Sequence, residues 1–247
     1  SVAAASRSYY ISGRPHALLA SYNWQPTSRN GTGVTPYNWF ILSDSVVSMN
    51  VYGQVTESAS RSVTGMRRGC VVYEGLRSLP AATFPNAACS DVAATTAEHG
   101  DLNGWYLAQT ELDSNQVYDG LYSFHVTDGY GPTRNIPLKE INRYKYDYVV
   151  SAYGYSTGTY PILMVELRRG DDSLMKVFAS YSPVDGPFVA NKWQRYEVEI
   201  PYDSIVAGGM FVNPARGDYL RIWFGFGLPV GDASRQLYVD DFVAYPT

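Results

Sequence analysis

The strand-length run at residues 235–246 (RQLYVDDFVAYP) constrains the fold more than any other stretch of the chain. Its side chains alternate. Leu237, Val239, Asp241, Val243 and Tyr245 are expected to face one way and Tyr238, Asp240, Phe242 and Ala244 the other, the period-two pattern of a strand in a sandwich. Two adjacent acids interrupt this apolar run. A carboxylate buried without a partner costs several kcal/mol, so one of the two is expected to reach solvent or to hold a cation.

The remainder shares this β character. The 247 residues include 22 Tyr, 22 Gly and 14 Pro with only 17% charged residues, a balance that favours sheets joined by turns over helices. No window carries a 3.6-residue apolar stripe bounded by caps, so the expected class is all-β. The length suits one large domain or two smaller ones. The 19 Lys and Arg are scattered singly and the net charge is -4, which argues against nucleic-acid binding through phosphate contacts. No apolar run approaches the roughly 20 residues of a membrane helix, so no membrane span is expected. Few Lys and many Tyr, Ser, Thr and Gly fit an extracellular or cell-surface protein. The chain opens on Ser1 rather than Met, which leads to the expectation of a processed product or a piece of a longer chain.

Residues 1–92 read as irregular β-structure. Apolar runs at 8–11 and 36–42 are separated by the turn residues Asn30 and Gly31, residues 45–57 read as a strand that bends or turns at Gly53, and 69–74 form another strand. Cys70 and Cys89 would close a loop of about 20 residues, worth roughly 3 kcal/mol as a disulfide. Two small buried thiols explain them equally well. Without a Cys-x-x-Cys element, zinc is not expected. From residue 93 the strands become regular: 144–153, 160–167, a turn at 170–173 (GDDS), 174–180, 220–226 and the closing run. Roughly eight or nine strands there make two packed antiparallel sheets.

Several side chains suggest chemistry. Tyr144, Tyr146 and Tyr148 share one strand face, with Tyr153, Tyr155 and Tyr160 nearby. Exposed aromatic faces stack on pyranose rings, and they equally mark protein interfaces, so both readings stay open. Trp193 and Trp223 sit in apolar alternation and are expected in the core, while Trp105 follows a Gly and could fill the entrance of a sandwich. His16, His99 and His125 lie in separate segments, with no nucleophile elbow, no His-Glu-x-x-His and no phosphate loop, so an enzyme is not expected. Glu197 and Glu199 share a strand face, as any alternating pair does.

Four segments, in order, resemble jelly-roll carbohydrate-binding modules: Gly104 with Trp105, residues 117–126 (VYDGLYSFHV), the Trp-bearing 191–201 (NKWQRYEVEIP), and the aliphatic-Asp-Asp-aliphatic closing run. The resemblance covers about 93–247. It implies an antiparallel jelly-roll β-sandwich preceded by an irregular, repeat-like β-hairpin region. It also implies a structural calcium held by a carboxylate near the first strand and an Asp of the last, here Glu98 and Asp240 with Asp241 as the alternate. Residues 45–105 resemble another family. Residues 50–57 (NVYGQVTE) are similar to the core of a YD (RHS-type) repeat. Residues 72–87 are similar to the segment after such a repeat in large bacterial surface proteins, and 90–98 to the lead into an inserted jelly roll, although Ala97 stands where an aromatic is common. One or two such units cannot bury their apolar faces alone, so 1–92 is expected to lean on the jelly roll, on a remainder or on other copies.

Together these resemblances imply a noncatalytic bacterial surface protein fragment, a structural or assembly unit whose partners are other copies or the rest of a larger surface protein. The alternative is a free glycan-recognition module. Ranked below both are part of a polysaccharide-degrading enzyme and part of a toxin-delivery shell.

Overall fold

The computed structural model describes residues 6–11, 14–24, 40–50, 54–62, 65–73, 80–98, 104–138, 147–158, 160–206, 213–226 and 236–247. Among them, 17 strands accompany one single-turn α-helix, Tyr202–Val206. The chain divides into two compact units, Ser1–Val71 with Thr83–Ala88, and Val72–Ala82 with Cys89–Thr247.

The first sheet is a meander of β1 (Ser6–Ile11), β2 (Arg14–Trp24), β3 (Phe40–Met49), β4 (Val55–Ser62), β5 (Gly65–Tyr73) and β6 (Pro80–Phe84), which lie side by side in chain order. Within 45–57, β3 and β4 pair antiparallel: Met49 pairs with Val55, and Asn50 and Gln54 are bonded to each other. The Gln54 N–H donates to Asn50 Oδ1 at 3.0 Å and the Asn50 N–H to the Gln54 carbonyl at 3.0 Å. Arg68 Nη1 reaches the buried Glu57 at 3.2 Å. Cys70 and Cys89 are both disulfide-bonded.

The second unit is a sandwich. Its strands are β7 (Ala93–Thr95), β8 (Tyr106–Leu107), β9 (Thr110–Asp113), β10 (Ser123–Val126), β11 (Tyr130–Pro137), β12 (Tyr148–Ser156), β13 (Ile162–Arg168), β14 (Leu174–Ser180), β15 (Trp193–Ile200), β16 (Tyr219–Gly225) and β17 (Leu237–Pro246). Sheet I has the order β15-β12-β17-β10-β9, with β7 also on β17, and sheet II has the order β14-β13-β16-β11-β8. From β10 to β13 and again from β14 to β17 the chain crosses from one sheet to the other at every step, the wrapping of a jelly roll. The inner faces meet in one core. Phe124, Val150, Tyr196 and Phe242 of sheet I, and Leu163, Val165, Ile222 and Phe224 of sheet II, are fully buried, each such side chain contributing about 1.5–3 kcal/mol. Gly154 is placed where the sheets touch, and a Cβ there would lie 2.5 Å from Phe224 Cζ.

The closing strand departs from the expected alternation. Tyr153 pairs with Asp240 but Ser151 with Val243, so β17 carries one extra residue, and Asp241 has a φ of 46°. A bulge of this kind inverts the facing of everything beyond it. Leu237 and Val239 point into the core before it, and Phe242 and Ala244 after it. The bulge also divides one edge of β17 between two partners: β10 pairs with Leu237 to Val239, and β7 with Phe242 to Ala244.

Candidate functional site

The outer face of sheet II is set by parity. Leu220, Ile222 and Phe224 of β16 point inward, so Arg221 and Trp223 point out. Register then builds two rows across the sheet. Met164, Trp223, Thr133 and Tyr106 form one row, and Glu166, Arg221 and Asn135 the other. These rows floor a groove of about 910 Å3 that reaches from Gly104 to Arg168. Tyr106 and Tyr130, 70% and 51% exposed, stand in it with their rings accessible, and Tyr130 meets Trp223 edge-on at 4.9 Å.

Charge holds the floor rigid. Trp223 Nε1 donates to Glu166 Oε1 at 3.0 Å and Arg168 Nε to Glu166 Oε2 at 2.5 Å, which occupies both carboxylate oxygens. Arg221 donates to Asp172 at 2.7 Å and to Asn135 Oδ1 at 3.3 Å. Burial lowers the Arg134 guanidinium from its ordinary value.

The aromatic side chains singled out in the sequence lie elsewhere. Tyr144 and Tyr146 fall outside the described residues. Tyr148 is a core residue, 1% exposed, because β12 starts there and Tyr148, Val150 and Ala152 are its inward positions. Tyr153 and Tyr155 face out from sheet I. Tyr155 belongs to a row that crosses all five strands, Trp193, Tyr155, Tyr238, His125 and Glu111. Rings along this face cover one another: Tyr118 stacks on Tyr153 at 3.8 Å and His125 on Tyr238 at 4.7 Å. Tyr160, 60% exposed, leans on Phe188 at 4.7 Å. None of these four described tyrosines lines the groove. Trp193 is half-buried on the outer face of sheet I. Trp223 is buried as expected, 4% exposed, but on the outer side of sheet II beneath Tyr130, and Trp105 is equally buried, against Phe242 at 4.4 Å. Glu197 is already bound by Arg195.

Two of the acidic residues cap one loop. Glu98 Oε1 accepts the N–H groups of Leu121 and Tyr122 at 2.5 and 3.0 Å, and Asp240 Oδ2 accepts those of Tyr118 and Asp119 at 3.1 and 3.3 Å. Both therefore pin the loop that leads into β10. Asp241, in the bulge, is half-buried rather than a partner of that loop's N–H groups. Burial pushes the Asp240 carboxyl up to about 7 against the backbone donors, and burial together with Asp119 raises Asp241. Among the described residues neither Glu98 nor Asp240 has a salt-bridge partner. As donors, two buried carboxylates with hard oxygens and no compensating positive charge fit a calcium ion. Among the described residues no group of three or more acidic, His or Cys side chains forms a cage.

No protein-family model matches the chain, and no curated protein matches it. Many solved structures are similar to it, and three of them are the following. The CBM22-1 xylan-binding domain from Paenibacillus barcinonensis Xyn10C is 18% identical over 65% of this chain and 97% of its own, with a TM-score of 0.42. A structure described under carbohydrate-binding modules from the beta-sandwich super family is 13% identical over 98% of this chain and 92% of its own, with a TM-score of 0.40. The C-terminal family 22 carbohydrate-binding module of Clostridium thermocellum Xyn10B is 13% identical over 65% and 96%, with a TM-score of 0.35. All three scores lie below 0.5, and the sandwich is defined by its own strand order.

Proposed function

We propose that the sandwich is a saccharide-binding module and that the saccharide lies in the sheet II groove. One observation carries this reading: two exposed tyrosine rings flank a Trp223 floor in a groove that also presents the Thr133 hydroxyl and the Gln109 and Asn135 amides. Pyranose C–H faces stack on aromatic rings while hydroxyl and amide groups take the sugar hydroxyls. On sheet I the rings are stacked on each other, which leaves less ring face for a ligand. Among the described residues Glu166 is the only carboxylate lining the groove, and both of its oxygens are engaged, whereas glycoside hydrolysis calls for a pair of free carboxyl groups. The proposal is therefore one of binding without catalysis, at an extracellular or cell-surface location where polysaccharide is met. It also includes calcium, with Glu98 and Asp240 as the residues that would hold it and neutralise their own buried charge.

The test is a polysaccharide array probed with the whole chain and with Trp223→Ala and Tyr155→Ala. Loss of at least about tenfold in affinity for Trp223→Ala, with Tyr155→Ala within about twofold of the parent, is the expected pattern. The reverse pattern, or silence across the array, overturns the groove.

A second reading, assembly with other copies, is favoured by the edge strand β14 and the residue just after it, where Leu174, Val177 and Tyr181 are 54%, 42% and 57% exposed. An open strand edge with apolar side chains is a template for pairing. Concentration-dependent association in sedimentation, abolished by Val177→Lys, would support it.

A further inference from the structure

The groove carries an uneven charge. Among the described residues, three guanidinium groups, of Arg134, Arg168 and Arg221, line it against the single carboxylate of Glu166, in a chain whose net charge is -4. Two of the three are engaged: Arg168 by Glu166 and Asp172, and Arg221 by Asp172 and Asn135. Arg134 is different. Among the described residues it has no salt bridge, and its Nε, shielded from solvent, has no hydrogen-bond partner.

Its position follows from the local backbone. Arg134 pairs with Ile222, so its Cβ starts on the inward side of sheet II, and the side chain then runs to the end of the groove and lies against Gly104. A Cβ at position 104 would sit 1.6 Å from Arg134 Nη1, and Gly104 has a φ of 79°, so only glycine leaves room for the guanidinium there. A half-buried guanidinium without a counter-charge has lost part of its hydration and recovers it best from an anion, through the forked N–H donors that match carboxylate and sulfate oxygens.

Resting on the groove reading above, we infer that this module selects acidic saccharides, and that Arg134 receives the anionic group of a sugar whose ring lies against the exposed Tyr106 and Tyr130 above the Trp223 floor. Arg134 is then a specificity-determining residue. The aromatic rings supply affinity for any suitable pyranose, and the guanidinium supplies the preference among them.

The experiment measures affinity of the whole chain for polygalacturonate and for its fully methyl-esterified form, which lacks the charge and carries one added methyl group per residue, with a neutral xylan and a sulfated galactan alongside. The wild type is expected to bind the acid polymer about ten- to a hundredfold more tightly than the ester, the range of one charge-assisted hydrogen-bonded contact. Arg134→Gln should remove that preference and leave ester and xylan binding within about twofold of the wild type, which also shows that the variant folds. Arg134→Lys should keep part of it. An Arg134-dependent gain seen with the sulfated galactan and not with polygalacturonate supports the inference with sulfate ester as the anion. Equal binding of acid and ester by the wild type, or an equal loss for both in Arg134→Gln, overturns it. If neutral xylan still binds in a Trp223-dependent way, that result leaves the groove standing. If no polymer binds at all, both readings fall.

Discussion

Asp218 is 1% exposed and is held by four donors: Arg216 Nε and Nη2 at 2.7 and 2.5 Å, the Asn213 N–H at 2.8 Å and the Gly170 N–H at 3.2 Å. Burial alone would push its carboxyl up. The Arg216 pairing and the backbone donors outweigh burial and leave it below the usual carboxylate value. A carboxyl depressed in the folded state contributes stability that is present above its unfolded pKa, near 4, and is lost as pH falls through the lower folded value. Asp218→Asn should therefore cost about 2 kcal/mol at pH 7, discounted because Arg216 is partly exposed, and progressively less as pH falls below about 4. Thermal melts of both proteins between pH 3 and 7 should converge at the acid end; parallel curves would refute the role. Single residues also show where the sequence was legible. Trp223 looked like core because Ile222 and Phe224 surround it, yet Arg221 shares its parity and marks that side as the outer face. Trp193 likewise shares parity with Arg195 and Glu197. Alternation alone cannot separate a core position from an outer position covered by neighbours, but the charged residue two places away can.

Among the elements, the loop between β9 and β10 is fixed from both ends of the sandwich sequence, by Glu98 just after β7 and by Asp240 at the β17 bulge. Its geometry depends on Gly120, whose φ is 77° and whose added Cβ would lie 2.3 Å from Glu98 Oε1. Gly120→Ala should destabilise by about 1–3 kcal/mol through backbone strain and displacement of the carboxylate. Urea unfolding with an unchanged midpoint would show instead that the loop adapts. The segment 117–126, expected as one strand, is strand only from Ser123, because these side-chain caps take the backbone N–H groups of its first half. Strand β11 escaped notice for the opposite reason. Gly131, Pro132 and Pro137 read as breakers, but Pro132 lies at a register shift, where a missing donor is tolerated. β11 brings Thr133, Arg134 and Asn135 to the groove, so the groove is not legible in a sequence where that strand is not. The 174–180 strand and its preceding turn were legible because charge and glycine punctuate a clean apolar run.

At the scale of the whole sandwich, β7 and β17 come from opposite ends of its sequence and pair edge to edge, so closure depends on contacts that form late and are far apart along the chain. Glu98 and Asp240 stand at that junction with buried carboxylates and, among the described residues, only neutral N–H donors as partners. A calcium ion would supply the missing positive charge at the point where the two ends meet, and so would stabilise the closed sandwich rather than the groove, whose residues lie on sheet II. Binding to the folded state at about a hundred times the dissociation constant adds about 2.7 kcal/mol. For a chain of this size that raises the melting temperature by about 5 °C or more over the chelated protein. Magnesium, which demands small octahedral shells, should give little of this increment. Glu98→Gln and Asp240→Asn should each abolish the calcium increment while saccharide affinity at room temperature stays the same. Identical melts with calcium and with chelator would remove the ion from the account, and an increment that survives both substitutions would place its ligands elsewhere in the chain.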